Sequence, residues 1–338
     1  MPKLSLPDFA ALPRYFRTTL APEAYHGSVL RPPFFEGWYF KAVTRAQERA
    51  FVFIPGVYHA VDPARSHSFV QVMDGRSGTA EYISYPLEDF AAAEDELDVR
   101  VGPNHFSRAG ISLDIPGLAS GALRHQDITP WPVTLTHPGI MGPFAWAPRM
   151  ECYHGVVSLD HGLLGRLDLG GQPVDFDGGR GYIEKDWGRS FPQAWVWFQS
   201  NHFRTPGVCI TASVAIIPWM GSSFNGFIAG LLHDGRLLTF ATYNRSRIEH
   251  LEITDRVVVW VLRGGGYRLE IAAERAEGGI LRAPTTIEMD RRIAETLNSR
   301  VEVRLLELRG GRSRLVFHDT GANAGLEAVG DMQRLAHP

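Results

Sequence analysis

Apolar and polar residues alternate with a period of two in short runs spread along most of the chain. The clearest are Trp38–Val43, Phe51–Tyr58, Phe69–Met73, Ile111–Ile115, Val156–Leu159, Val208–Ile217, Val257–Leu262, Tyr267–Ile271, Val301–Leu308 and Arg314–His318. Successive side chains of a strand point to opposite faces, so each run predicts a strand with at least one buried face. Asp74-Gly75, Asp177-Gly178-Gly179, Asp234-Gly235, Gly264-Gly265-Gly266 and Gly310-Gly311 lie between the runs and are turn-forming sequences. Many short strands so punctuated predict an all-β chain built as a sandwich or barrel. Helical spacing is scarce. Pro7–Phe16 is one candidate for a short helix. Met289–Leu297 fits either period: Met289, Ile293 and Leu297 are helically spaced, while Met289, Arg291, Ile293 and Glu295 alternate. The strand reading is preferred, with Val301–Leu308 completing a hairpin.

A weak internal repeat accompanies the strands. Trp38 and Trp195 lie 157 residues apart, and each is followed 13 residues later by a β-rich run, from Phe51 and from Val208. Met73-Asp74-Gly75-Arg76 matches His233-Asp234-Gly235-Arg236 at an offset of 160. Two β-units of similar plan fit this spacing. The expected division is an extension over 1–30, a first β-domain over 31–190 and a second over 191–338, meeting near Gly188–Ala194. The Pro-rich stretch 129–148 is expected to cross irregularly over one barrel end.

Composition narrows the function. The chain has 338 residues, 44% of them apolar and 21% charged, as in a globular protein. A net charge of −3 gives no electrostatic footprint for nucleic acid. Two cysteines, Cys152 and Cys209, make no disulfide framework, so a reducing, cytoplasmic setting is expected. Met1–Gly27 carries no apolar segment of the signal-peptide kind. No apolar run approaches the roughly 18 residues of a membrane span, although peripheral contact with a bilayer stays open.

Two regions combine large rings with acids and amides. One is Phe34-Phe35-Glu36-Gly37-Trp38-Tyr39-Phe40-Lys41. The other is Gly181-Tyr182-Ile183-Glu184-Lys185-Asp186-Trp187-Gly188, followed by Trp195-Val196-Trp197-Phe198-Gln199-Ser200-Asn201-His202-Phe203. This mixture suggests a ring-lined cavity with a few polar groups, suited to a hydrophobic small molecule. By alternation, Glu36, Trp38 and Phe40 share one face, Tyr182, Glu184 and Asp186 another, and Trp195, Trp197, Gln199 and Asn201 a third. Lys185 falls on the other side of its strand and is expected in solvent.

The Phe35–Phe40, Glu184–Gly188 and Phe191–Asn201 blocks resemble the tocopherol cyclase family. The likeness runs in order from Phe34 to Phe203 and more loosely to Gly325-Leu326-Glu327. The plant members' E-K-N-W-G type block has Asp186 here in the asparagine position. The resemblance implies two tandem lipocalin-like antiparallel β-barrel or half-barrel domains, with a distant likeness to carotenoid 1,2-hydratases. It also implies cofactor-independent isoprenoid chemistry, in which an acid protonates the alkene of a prenylated hydroquinone and the phenol oxygen captures the cation, giving a chromanol. On that reading Glu184 or Asp186 is the expected proton donor and Glu36 the next candidate. Trp38, Phe40, Tyr182, Trp195, Trp197, Gln199, Asn201 and His154 are the expected substrate contacts.

Cys152 and His154 share a face, but the sequence guarantees no convergent set of metal ligands, and no metal is expected. A nucleophile elbow, a P-loop and a full dinucleotide fingerprint are missing from the sequence. Two functions remain in view. One is a cyclase or isoprenoid hydratase. The other is a lipocalin-like carrier that holds a lipophilic isoprenoid or lipid without reacting it. A buried carboxylic acid facing the ligand separates them.

Overall fold

The computed structural model of the protein describes residues 13–28, 30–219 and 221–336. Residues 7–12 of the expected Pro7–Phe16 helix lie outside this set, and the helix within it is Arg14–Thr19. No helix among the described residues is long and apolar enough to cross a membrane.

The alternating runs form two antiparallel sheets, one of 12 strands within Phe34–Gly188 and one of 11 within Trp195–Val329. Both open with the same four-strand meander. In the first sheet it is Phe34–Val43, Ala50–His59, His67–Asp74 and Ala80–Tyr85. In the second it is Trp195–Ser200, Cys209–Trp219, Ser222–His233 and Arg236–Ala241. Asp74-Gly75 and Asp234-Gly235 both lie between the third and fourth strands of their meanders, which accounts for the repeated tetrapeptide. On its other side, Phe34–Val43 pairs with Gly179–Gly188, which pairs with Cys152–Leu169. Trp195–Ser200 pairs on its other side with Arg312–Val329, which pairs with Arg291–Arg309.

Each sheet curls around its own apolar core. Trp38, Phe53, Phe106, Leu167 and Ile183 come from strands far apart in the first sheet yet pack in one cluster. Asn104 donates to the Tyr85 hydroxyl at 3.1 Å, tying strands near opposite edges of that sheet. Phe198, Val214, Phe240, Trp260 and Val303 form the corresponding core of the second sheet. Sealing each such large side chain contributes roughly 1.5–3 kcal/mol. The central strands are buried on both faces, because their outer faces meet. Tyr39, Val52 and Tyr182 from the first sheet join Trp195, Trp197 and Ile293 from the second in a third apolar layer along the seam.

Two expectations about the connections are corrected. The stretch 129–148 covers the seam between the sheets and not a barrel end. Its Trp131 packs on Gly230, where an added Cβ would fall 2.4 Å from the indole, and Tyr243 donates to Ile140 O at 2.8 Å. The hairpin expected between Met289–Leu297 and Val301–Leu308 is a single strand, Arg291–Arg309. The register instead shifts against Arg312–Val329 around Thr296–Val301. Asn298 and Ser299 turn their side chains to Gly75 O and Glu274 O, so the irregularity bends the strand without reversing it.

Candidate active site

The parity of each strand decides which residues reach the seam. On Phe34–Val43 the odd positions Phe35, Gly37 and Tyr39 face it, whereas Trp38 and Phe40 point into the first sheet's own core. Register extends the seam-facing set across three strands: Tyr39 lies opposite Glu184, Gly37 opposite Asp186, and Asp186 opposite His154. The second sheet answers with Trp197 opposite Glu327, and Glu327 opposite Glu295. These two rows form opposing walls of a cavity that is otherwise mostly apolar, lined by Phe35, Phe191, Ile217, Phe224 and Met289 among others. Met141 and Phe144, from the crossing stretch, close one side.

Short hydrogen bonds hold the polar groups. Tyr182 OH donates to Glu184 Oε2 at 2.5 Å, and Trp197 Nε1 reaches across from the second sheet to the same oxygen at 3.1 Å. His154 Nδ1 lies 2.9 Å from Asp186 Oδ1, and His154 Nε2 lies 3.7 Å from Glu184 Oε2. Opposite them, Tyr39 OH donates to Glu295 Oε1 at 2.5 Å and Trp195 Nε1 to Glu327 Oε2 at 2.5 Å. Gly325 makes room for this arrangement, because a Cβ there would fall 2.8 Å from the Trp197 ring. Two buried polar atoms of the cavity lining have no hydrogen-bond partner among the described residues, His154 Nε2 on one wall and Glu295 Oε2 on the other. Such atoms cost free energy unless something else meets them.

The electrostatics differ from wall to wall. Burial alone would lower the His154 pKa, but Asp186 and then Glu184 raise it to about 9, so the imidazole is charged at neutral pH. Burial raises Glu184 to about 7 against the pull of the His154 cation, with Asp186 adding to the rise. On the second wall burial lifts Glu295 well above the ordinary carboxylate range, and the Glu327 charge lifts it further. Burial also raises Glu327 to about 7, opposed by its bond from Trp195. His154, Glu184 and Asp186 offer one nitrogen and two carboxylate oxygens within 4.8 Å of one another, a set a cation could use. The proton that His154 carries opposes that use.

The structure brings Glu184, Asp186, His154, Trp195 and Trp197 together around this cavity. Tyr182 supports it from behind through Glu184. Trp38 and Phe40 lie in the first sheet's core, and Trp38 Nε1 donates to Glu23 O at 2.9 Å. Gln199 and Asn201 are buried deeper along the seam. Gln199 accepts from Lys41 at 2.9 Å, and Asn201 donates to Asp160 and to Gly181 O, each at 2.9 Å. Glu36 faces away from the cavity and forms an ion pair with Lys185, which is fully buried and not solvated. Glu36 also accepts from the His26 backbone at 3.0 Å. Burial would raise its pKa, but Lys185 and His26 hold it below the usual value. The structure thus places Glu36 in a paired, ionised setting unsuited to donating a proton.

The sequence model of the tocopherol cyclase-like family matches residues 145–330, more than half of the chain and both carboxylate-bearing walls of the cavity. The chain belongs to the tocopherol cyclase-like family. Two plant relatives agree. The Oryza sativa subsp. japonica protein named "Probable tocopherol cyclase, chloroplastic" is 23% identical over 388 residues, covering 97% of this chain and 82% of that protein. The Zea mays "Tocopherol cyclase, chloroplastic" is 24% identical over 345 residues, covering 82% and 72%. The crystal structure of CghA with Sch210972 shares the fold at a TM-score of 0.56 and 15% identity, over 89% of this chain and 90% of that one. Within the part that matches the tocopherol cyclase-like family, Glu295 and Glu327 are the cavity acids that strand-face reasoning left out as site residues. Glu295 carried a signal, since it ends the alternating run Met289, Arg291, Ile293, Glu295 as a lone acid. Glu327 stood in the looser part of the resemblance. Tyr39 was passed over because its strand was read on the wrong face.

Proposed function

We propose that the protein closes a ring in a prenylated hydroquinone by acid catalysis. The observation that carries this reading is the cavity itself. It is walled by aromatic and aliphatic side chains, and it presents a charged His154 with an unpartnered Nε2 on one side and protonatable carboxyls on the other. A quinol hydroxyl set at His154 Nε2, beside Glu184 and Asp186, would be oriented for attack. The prenyl tail would run along the apolar lining toward the second wall. Protonation of its alkene gives a tertiary cation, and the faces of Trp197 and Tyr39 can each stabilise such a cation by about 0.5–2 kcal/mol. The phenol oxygen then forms the new C–O bond and gives up its proton to a carboxylate. Atoms balance without a redox partner, because the product is an isomer of the substrate.

The test is to incubate the full chain with hydroquinones bearing prenyl tails of different length and to follow products by mass and absorbance. A chromanol with the mass of the substrate supports the proposal. A product heavier by one water indicates hydration. Tight binding of every such quinol with no conversion favours the carrier function and defeats the cyclase.

A further inference from the structure

Glu295 and Glu327 occupy directly opposed positions on adjacent strands, within hydrogen-bonding reach of one another. Glu295 is 1% exposed and Glu327 9%. Two ionised carboxylates at this spacing repel, and neither can donate to the other. One proton converts the contact into an O–H···O⁻ bond and relieves the repulsion. The remaining partners fit a pair with a single proton. Tyr39 and Trp195 donate to one oxygen of each acid, and Glu295 Oε2 is buried with no N–H or O–H aimed at it among the described residues, which leaves it free to share a proton.

Resting on the cyclase reading above, we propose that Glu295 and Glu327 share one proton and deliver it to the substrate's alkene, while His154, Glu184 and Asp186 hold the phenol on the opposite wall. In this division the two walls do different chemistry. The Glu295–Glu327 pair is the acid: its O–H bond breaks as the alkene's π electrons form a C–H bond. The carboxylates beside His154 are the base: Glu184 or Asp186 takes the proton the phenol loses when its oxygen closes the ring. Exchange with water then resets both walls.

The groups facing the pair support the assignment. Arg291 is the nearby guanidinium, but its N–H groups go to Pro192 O and Gln193 O and its face lies 4.7 Å from the Trp195 ring centroid. Lys41 is committed to Gln199 and to Asn323 O. Across the cavity Glu184 and Asp186 are acids, the charged His154 is paired with Asp186 and not with Glu295 or Glu327, and Tyr39 is neutral and donates. No cation is hydrogen-bonded to either glutamate among the described residues, so sharing a proton is the way left to neutralise part of their charge. Environments that push titratable groups apart separate acid from base.

The experiment compares the intact wild type with Glu295→Gln, Glu327→Gln and Glu295→Asp. Turnover of a prenylated hydroquinone should fall by about 10²–10⁴-fold in each amide variant, with affinity for the substrate nearly unchanged. Glu295→Asp, which keeps an acid, should recover part of the rate. Infrared spectra of the ligand-free proteins at neutral pH should show a protonated carboxyl stretch in the wild type that weakens in both amide variants. Full turnover in both amide variants overturns the proposal, as does a carboxyl band that is missing from the wild type or unchanged in both variants. A wild type that converts no prenylated hydroquinone defeats the cyclase reading. The proton on the pair is then decided by the infrared band alone: its absence removes the pair, and its presence keeps the pair as an acid for a different alkene.

Discussion

Glu36 and Glu295 are the same side chain in two sealed places, 0% and 1% exposed, and their neighbours drive them to opposite charge states. Glu36 sits where the segment around His26 closes over the first sheet. Lys185 pairs with it, the His26 backbone donates to it, and the Lys185 ammonium is itself sandwiched, 4.8 Å from the Trp38 ring centroid and 4.7 Å from that of Trp187. Glu295 faces another acid across a strand pair, and one of its oxygens receives no N–H or O–H donor among the described residues. Burial is common to both, so burial alone does not make an acid catalyst. What separates them is a cation in direct contact with the carboxylate, which Glu36 has in Lys185 and Glu295 lacks among the described residues. The first arrangement fastens chain segments, and the second stores a proton next to a cavity.

The largest test of this contrast is Lys185→Met. It leaves Glu36 buried without its ammonium partner, held only by the His26 and Gly27 N–H groups and the His26 ring, and should cost about 3–5 kcal/mol of stability in urea unfolding. Adding Glu36→Gln to that variant should recover much of the loss. Glu295→Gln should behave oppositely, leaving stability at neutral pH unchanged or slightly raised, because it removes an acid whose ionisation the fold opposes. A large loss in Glu295→Gln with none in Lys185→Met would reverse the comparison.

The pH dependence sharpens the same point by its sign. Glu36 has a folded pKa below its ordinary 4.5, so its contribution is present above that value and is lost as pH falls through the folded pKa. Glu327 is raised from 4.5 to about 7, so its contribution is complete below 4.5 and is lost as pH rises toward 7. His154, raised from 6.5 to about 9, contributes fully below 6.5 and loses that contribution as pH rises through 9. Stability differences between the wild type and Glu36→Gln, and between the wild type and Glu327→Gln, measured from about pH 3 to 8, should therefore change with pH in opposite directions, the first below about 4.5 and the second between about 4.5 and 7. Parallel profiles would contradict the assigned charge states.

The smallest expected effect is that of Trp197→Phe. It keeps a ring against Tyr39, whose centroid lies 5.4 Å away, and deletes the indole N–H that reaches Glu184. One lost hydrogen bond to a buried acid should cost roughly 1–3 kcal/mol and shift the pH profile of turnover without abolishing it.

The period-two pattern was enough to read the all-β fold, because hydrophobic alternation reports strands directly. The meander repeat was legible for the same reason. Which face of each strand met the cavity was harder. Trp38 and Trp195 were aligned at an offset of 157, one residue away from the register in which the equivalent strands present the same faces, and a one-residue slip exchanges the two faces of a strand. Trp38 accordingly lies in the first core, while Trp195 lines the seam. An offset of 158 instead aligns Trp38 with Val196, both in the core of their own sheet, and Tyr39 with Trp197, both at the seam. Glu184, Asp186 and His154 come together because their strands are neighbours, which the aromatic blocks hinted at. Glu295 and Glu327 reach the same cavity through pairing of Arg291–Arg309 with Arg312–Val329 and docking of the second sheet on the first. Nothing local in the sequence encodes that meeting. Lys185 looked solvated because its partner, Glu36, is 149 residues away.

A structure of the protein with a prenylated hydroquinone whose tail lacks the reactive double bond would test the account most directly. The ring hydroxyl should lie at His154 Nε2 and Asp186, with the tail carbon that replaces the alkene beside Glu295 and Glu327, between the two sheets. A ligand seated inside either sheet's own core, or one with its tail turned away from the glutamate pair, would contradict it.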